Sequence, residues 1–290
     1  MKKVFPFIFL SFALAWGIWV TIWLMGIKLG QPIQQIGTIV AMWMPALAYF
    51  ILKAVNPRSY RLGAGFRLAF KKNWKLFLLA MWGPTILTFI GVVLYFLVFR
   101  EQFSLSFSPL GQMLAELGVK TPALPLEMIV LSQVLAAMTY GPVVNSFLAM
   151  GEEIGWRGFL FPTLREEFSP LHSHLLVGLI WSLWHLPINL QGYNFGLTYW
   201  AYPWWGILAM FFFCFSVGVL LSYMMEKTHT LWAPALLHGA VNASAGIGML
   251  FQISSQQTRA MRIFGPSPVG LLAGLPFFFV AIWILSKERK

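Results

Sequence analysis

Apolar residues along this chain come in long runs separated by short polar stretches. Eight runs stand out, at residues 4–26, 34–53, 76–99, 128–149, 174–190, 204–225, 232–253 and 268–286. A helix rising about 1.5 Å per residue needs roughly 20 apolar residues to cross a hydrocarbon core of about 30 Å. The pattern therefore predicts an all-α membrane protein with about eight transmembrane helices. The first run is too long for the apolar part of a signal peptide, and no small-residue cleavage site follows it, so it reads as a helix. The segment 54–75, AVNPRSYRLGAGFRLAFKKNWK, carries six basic residues and no acid. It is expected to lie on the headgroup surface as a short amphipathic segment. SPLGQMLAELG, in the loop 100–127, is expected to form a short interfacial helix. With no internal repeat, low-complexity tract or linker, residues 1–290 read as one membrane domain.

Composition changes the picture only in one direction. The 290 residues are 59% hydrophobic and 10% charged, against roughly 25% charged in a soluble domain. That leaves too little polar surface for a water-soluble particle. The 14 Trp and 27 Phe suit interfacial belts and lipid-facing surfaces. The single Cys214 lies in an apolar run, so no intramolecular disulfide and no cysteine metal cluster can form. No aspartate occurs; all nine acids are Glu. That removes the aspartyl intramembrane proteases, which need two Asp.

The net charge is +11. Because the basic residues sit in the loops, they read as topology and as contacts with anionic lipids, not as a nucleic-acid surface. With the N-terminus inside, the inner segments hold Lys2, Lys3, Lys53, Arg58, Arg61, Arg67, Lys71, Lys72, Lys75, Arg165, Lys227, Lys287, Arg289 and Lys290. The outer ones hold Lys28, Arg100, Lys120, Arg259 and Arg262. This bias predicts that both termini are cytoplasmic.

Against this background, ionisable groups inside the runs are costly and point to function. Three places carry them. At the end of the fourth run, Glu152-Glu153-x-x-x-Arg157 puts Glu153 and Arg157 at i and i+4, acid first, the favourable order for a pair. Glu152 is offset by about 100° around the axis and is left free to face a cavity. In the fifth run, His185 lies about 16 Å along the helix, with Trp181 on the same face and Pro187 loosening the backbone just after it. In the seventh, His238-x-x-x-Asn242 places an imidazole and a carboxamide on one face among small residues. Each alone also reads as a solvated ion pair, a structural histidine or interhelical hydrogen bonding; three together argue for a site. His172, His174 and His229 fall in or beside loops and read as simply polar.

These groups suit peptide hydrolysis. A carboxylate in a low-dielectric cavity is a better base than one in water, and Glu152 with His185 can hold and deprotonate a water. His238 and Asn242 offer N–H donors to an oxyanion. There is no His-Glu-x-x-His motif. A His₂Glu zinc site on Glu152, His185 and His238 fits the same residues and stays open, as do a transporter that relays protons through them and an inert structural or immunity membrane protein.

The order Glu-Glu-x-x-x-Arg, aromatic-x-x-x-His, His-x-x-x-Asn on successive membrane helices resembles the CAAX prenyl protease and bacteriocin-processing family, the type II prenyl endopeptidase group of glutamate-dependent intramembrane proteases. The resemblance covers about residues 128–250, which would form the catalytic core. Its second motif is usually Phe-x-x-x-His, and here Trp181 replaces the Phe. The resemblance implies a metal-free endopeptidase with Glu152 as general base alongside His185. His238 and Asn242 would stabilise the oxyanion, and Glu153 and Arg157 would brace the site. It further implies eight helices around a conical cavity open to the cytosol. The expected substrate is a lipidated or membrane-associated polypeptide, in one branch a prenylated Cys-a-a-X tail.

Overall fold

A computed structural model describes residues 2–116, 124–253 and 261–288. Lys120, Arg259, Arg289 and Lys290 of the charge count lie outside them. The described residues are helical, with two isolated bridges, Gly65 to Thr230 and Phe103 to Gln252. In chain order the helices are α1 (Val4–Leu24), α2 (Pro32–Met42), α3 (Met44–Val55), α4 (Phe70–Val98), α5 (Ser108–Glu116), α6 (Leu126–Met138) and α7 (Tyr140–Glu153). They continue with α8 (Phe161–Arg165), α9 (Pro170–Trp184), α10 (Leu186–Leu190), α11 (Trp204–Thr228), α12 (Trp232–Ser244) and α13 (Leu275–Glu288).

Four helical stretches are long and apolar enough to cross a membrane: Val4–Leu24, Phe70–Val98, Trp204–Thr228 and Trp232–Phe251. Two bent pairs raise this to six, Pro32–Met42 with Met44–Val55 and Leu126–Met138 with Tyr140–Arg165, bent by 40° and 56°. Local chemistry accounts for both bends. Trp43 leaves the helical hydrogen-bond pattern just before Pro45, and Thr139 sits at φ −117°, ψ −94° just before Pro142. Proline lacks the N–H that would continue each ladder. The chain is thus a multi-pass membrane protein, and among the described residues four to six helical stretches reach spanning length. The expected spans 174–190 and 268–286 become α9, of 15 residues, and α13, of 14. At about 1.5 Å per residue these reach only some 22 Å.

Small residues set the helix spacing. A Cβ on Gly239 of α12 would stand 2.6 Å from the Ser146 nitrogen of α7, and one on Gly178 of α9 would stand 2.9 Å from the Phe215 Cα of α11. These glycines let backbones meet where larger residues would hold them apart. Large apolar side chains such as Phe5, Phe9 and Trp283 remain more than half exposed on the outer surface, as lipid contact requires.

The two ends of the bundle differ in charge. At one end the start of α1 and the ends of α8 and α11 are tied by ion pairs, Lys3 to Glu166 at 2.8 Å and Arg165 to Glu226 at 3.9 Å, and His174 of α9 lies 3.4 Å from Glu288 at the end of α13. Lys2, Arg58 and Arg61 share a surface hollow there, and Arg67, Lys71 and Lys72 share a second. His174 is therefore buried in α9 beside Glu288, not a plain loop residue. The loop 56–69 is irregular. It is pinned where Gly63 N–H donates to Gly158 O at 2.8 Å and Leu231 N–H to Gly65 O at 2.9 Å. The SPLGQMLAELG segment does give α5, near the opposite end.

Candidate active site

The fourth run ends in an unusual backbone. After Glu153 the chain widens into a π-helical segment, Ile154–Leu160, whose seven residues are all buried. Gly151 and Gly155 make this possible. A Cβ on Gly151 would lie 2.6 Å from Met42 O and from Trp43 Cα, so glycine lets α7 press against the α2–α3 bend. π segments recur at functional sites. This one carries Trp156 and Arg157 into the core.

The two adjacent glutamates take separate partners. Glu153, fully buried, accepts at Oε1 from Arg157 Nη1 at 3.2 Å, and the same oxygen lies 2.8 Å from His238 Nδ1. Arg157 is fully buried too, and its guanidinium carbon sits 4.3 Å from the centre of the Trp181 ring. Its Nε and Nη2 have no hydrogen-bond partner among the described residues. Glu152 is not left free, as its offset from Arg157 suggested. Its Oε2 accepts from the indole N–H groups of Trp181, at 2.6 Å, and Trp156, at 3.2 Å. Glu152 also lines a cavity.

The histidines are oriented in the same way. His185 falls at the break between α9 and α10, two residues before Pro187, and its Nδ1 lies 2.9 Å from Trp181 O. A carbonyl only accepts, so Nδ1 carries the proton and Nε2 of the neutral ring is a lone pair. His238 Nδ1 faces a carboxylate, which fixes the same tautomer. His238 Nε2 donates only when the ring carries both protons; when neutral it accepts.

Glu152, His185, His238 and Asn242 all line one cavity of about 350 Å³. Asn145, Leu148 and Glu152 form a stripe on α7, and His238, Asn242 and Ala245 form another on α12. Asn145 was a legible signal, an amide seven residues before Glu152 in an apolar run. Trp156 was legible as well, at i+4 from Glu152. Gln34, Gln35 and Thr38 of α2, and Tyr193 and Asn194 of the loop after α10, also reach the cavity; nothing in their spacing marked them. Among the described residues, no three His, Cys or Glu side chains are grouped so as to hold a metal ion. Glu152, His185 and His238 share the cavity without forming such a group.

The cavity runs from Glu152 away from the basic end. Gln34 lies in the first turn of α2, Asn194 in the loop after α10, and Ser267 in the loop before α13, all at the far end of the bundle. Toward the basic end the floor is closed by the buried π segment, with the loop 56–69 over it.

Comparison with known proteins places residues 128–244 in a match to the type II CAAX prenyl endopeptidase Rce1-like family. Over 76 residues the chain is 30% identical to CAAX prenyl protease 2 of Methanococcus maripaludis, an alignment covering 26% of this chain and 28% of that protein. The chain thus spans little more than a quarter of the length of the curated relative it matches.

Proposed function

We propose, from the premise that residues 128–244 carry a domain of the type II CAAX prenyl endopeptidase family, that this chain is an intramembrane endopeptidase that hydrolyses a membrane-associated polypeptide by glutamate-activated water. The observation that carries this reading is the setting of Glu152. Its carboxylate stands on the floor of a cavity, held at Oε2 by two indoles, with His185 and His238 on the walls around it.

Glu152 Oε1 takes a proton from a water that also donates to His185 Nε2. The hydroxide oxygen bonds to the carbonyl carbon of the substrate. The oxyanion that forms accepts from the Asn242 amide and from His238 in its doubly protonated form, which Glu153 orients. As the carbon–nitrogen bond breaks, Glu152 returns its proton to the leaving nitrogen and the water is consumed. Neither a nucleophilic side chain nor a metal enters. The names of the family and of the relative make a prenylated Cys-a-a-X tail the first substrate to try.

The test is cleavage in detergent of a farnesylated Cys-a-a-X peptide and of an unprenylated membrane peptide, with Glu152→Gln in parallel. A general base is worth about 10²- to 10⁴-fold, so the variant should lose at least 100-fold. Full activity of Glu152→Gln would refute the role of the glutamate.

A further inference from the structure

Two spanning helices meet at one basic hollow, where α4 begins and α11 ends. Arg67, Lys71, Lys72, Asn73, Thr228 and His229 line its space of about 560 Å³. Lys72 and Lys71 stand four and five residues before Leu76, where the apolar run of α4 starts. At 1.5 Å per residue that is about 6–8 Å outside the hydrocarbon. A headgroup layer is about 5–8 Å thick on each side, the difference between a core of about 30 Å and a bilayer of about 40–45 Å. The hollow is therefore at the depth of lipid phosphates.

Charge separates this hollow from its neighbour. Lys2, Lys3, Arg58 and Arg61 line the neighbour, but Glu166 and Glu167 line it too, and Lys3 donates to Glu166 at 2.8 Å. The hollow beside α4 has no carboxylate in its lining. Arg67, Lys71 and Lys72 are exposed and make no ion pair among the described residues. Three like charges around one space repel one another, and an anion between them relieves that repulsion. The frame is fixed as well: buried Asn73 donates through Nδ2 to Thr228 O at 3.4 Å, which ties α4 to α11. Around the cations the surface is apolar, with Phe66, Leu68, Phe70 and Trp74 each about half exposed.

We propose that this hollow is a discrete site for one anionic glycerophospholipid, its phosphate held by Arg67, Lys71 and Lys72 and its glycerol and upper acyl chains lying against Phe70 and Trp74. The Arg67 guanidinium offers a fork to two phosphate oxygens, and the lysines add point charges. A phosphatidylcholine carries the same phosphate but brings a fourth cation into the cluster, so it binds less well. A soluble phosphate has no chains to cover the aromatic rings.

Occupancy reaches the core through the loop 56–69. Gly63 N–H donates to Gly158 O of the π segment, Gly65 O accepts from Leu231 N–H, and Phe66 O accepts from the Trp232 indole at 2.9 Å. Arg67 is the next residue. A lipid that fixes Arg67 to the start of α4 therefore holds this loop against the π segment and against the first turn of α12, the helix of His238 and Asn242.

The experiment uses the full chain in a maltoside detergent. It is titrated with dioleoyl phosphatidylglycerol, dioleoyl phosphatidylcholine or glycerol 3-phosphate, and read by thermal unfolding and native mass spectrometry. Phosphatidylglycerol at about 100 times its dissociation constant should raise the midpoint by about 5–10 °C. Phosphatidylcholine should raise it much less, and glycerol 3-phosphate not at all. The triple variant Arg67→Gln, Lys71→Gln, Lys72→Gln should lose one tightly held phosphatidylglycerol from the mass spectrum. The control Lys2→Gln, Arg58→Gln, Arg61→Gln removes as many charges from the neighbouring hollow and should keep it. Equal midpoint rises with the two lipids, or equal lipid loss in the two triple variants, would mean a diffuse lipid-facing surface and overturn the site. A rise with glycerol 3-phosphate as large as that with phosphatidylglycerol would make the ligand a free phosphate and overturn the lipid. Should the first triple variant unfold early without lipid, the contrast between the two lipids on the unchanged chain still decides.

Discussion

Removing the charge of Glu153 should destabilise the protein far more than removing that of any surface glutamate. Glu153 and Arg157 are both fully buried, and Glu153 is the one carboxylate bonded to the guanidinium. In Glu153→Gln the shape is kept, yet Arg157 loses the one carboxylate bonded to it and keeps only the Trp181 ring and the unbonded Glu152 charge. Leaving one ion of a buried pair uncompensated costs about 3–5 kcal/mol. At roughly 2–4 °C per kcal/mol for a chain of this size, the midpoint should fall by roughly 6–20 °C. The assay is thermal unfolding in detergent followed by tryptophan emission. Two controls make the reasoning refutable. Lys3 and Glu166 are closer, at 2.8 Å against 3.2 Å, but Glu166 is 62% exposed. Glu166→Gln should cost at most about 1 kcal/mol, so distance does not decide the matter and solvent does. The double variant Glu153→Gln with Arg157→Met should recover part of the loss, because two neutral groups need no compensation. A midpoint for Glu153→Gln within 1 °C of wild type, or a double variant worse than the two single losses combined, would refute the account.

Other outcomes follow from the same contacts. Trp181→Phe keeps a ring over Arg157 but loses the 2.6 Å bond to Glu152, so peptide cleavage should drop about 10- to 100-fold, and Trp156→Phe, losing a 3.2 Å bond, should drop less; equal effects would count against Trp181 as the main support. Asn242→Ala should lower kcat about 10²- to 10³-fold with little change in KM, the mark of a donor used only in the transition state; a change confined to KM would reassign Asn242 to substrate binding. Gly239→Leu should separate α7 from α12 and lower the unfolding midpoint by several degrees, whereas Gly246→Ala, where a Cβ would meet nothing within 4 Å, should leave it unchanged; the contrast is read in the same thermal assay. A tight zinc chelator should leave cleavage unchanged, and loss restored by added zinc would sink the metal-free mechanism.

The chain's helical, multi-pass character was legible because apolar run length depends on bilayer thickness alone. The number of full spans was not. Whether a run becomes one helix or two pieces depends on where a bend falls. The bends at Trp43 and Thr139 show in the sequence only as nearby prolines, Pro45 and Pro142. The i, i+4 rule identified the Glu153–Arg157 pair because it is a property of one helix. It could not show that Glu153 also meets His238, 85 residues away, since that contact depends on how α7 and α12 pack. The direction of the cavity was hidden for the same reason. Charge bias orients each loop, but which ends of α2, α7, α10 and α12 meet around a hollow is decided by packing.

The division of labour between the two glutamates has a physical logic on the proposed reading. A base beside an arginine would have its charge compensated and would hold a proton weakly. Here Glu153 intercepts Arg157, so the guanidinium's bond to a carboxylate is made one residue away from the chemistry. Glu152 is fixed instead by two indole N–H groups, which give direction without a full positive charge. Both donors sit on one oxygen, which leaves Oε1 to receive a proton. The π segment makes this workable. It brings Trp156 and Arg157 back beside the two glutamates and, with every residue buried, closes the floor against water from the basic end. Supplying Glu152 with a cation should therefore be as damaging as removing its carboxylate. Trp156→Lys is the variant to make, with Trp156→Leu as the packing control. Cleavage falling at least tenfold further in the lysine variant than in the leucine one, at matched unfolding midpoints, is the expected result. Equal activities would mean that the charge around Glu152 does not matter, and that the separation of the two glutamates serves packing alone.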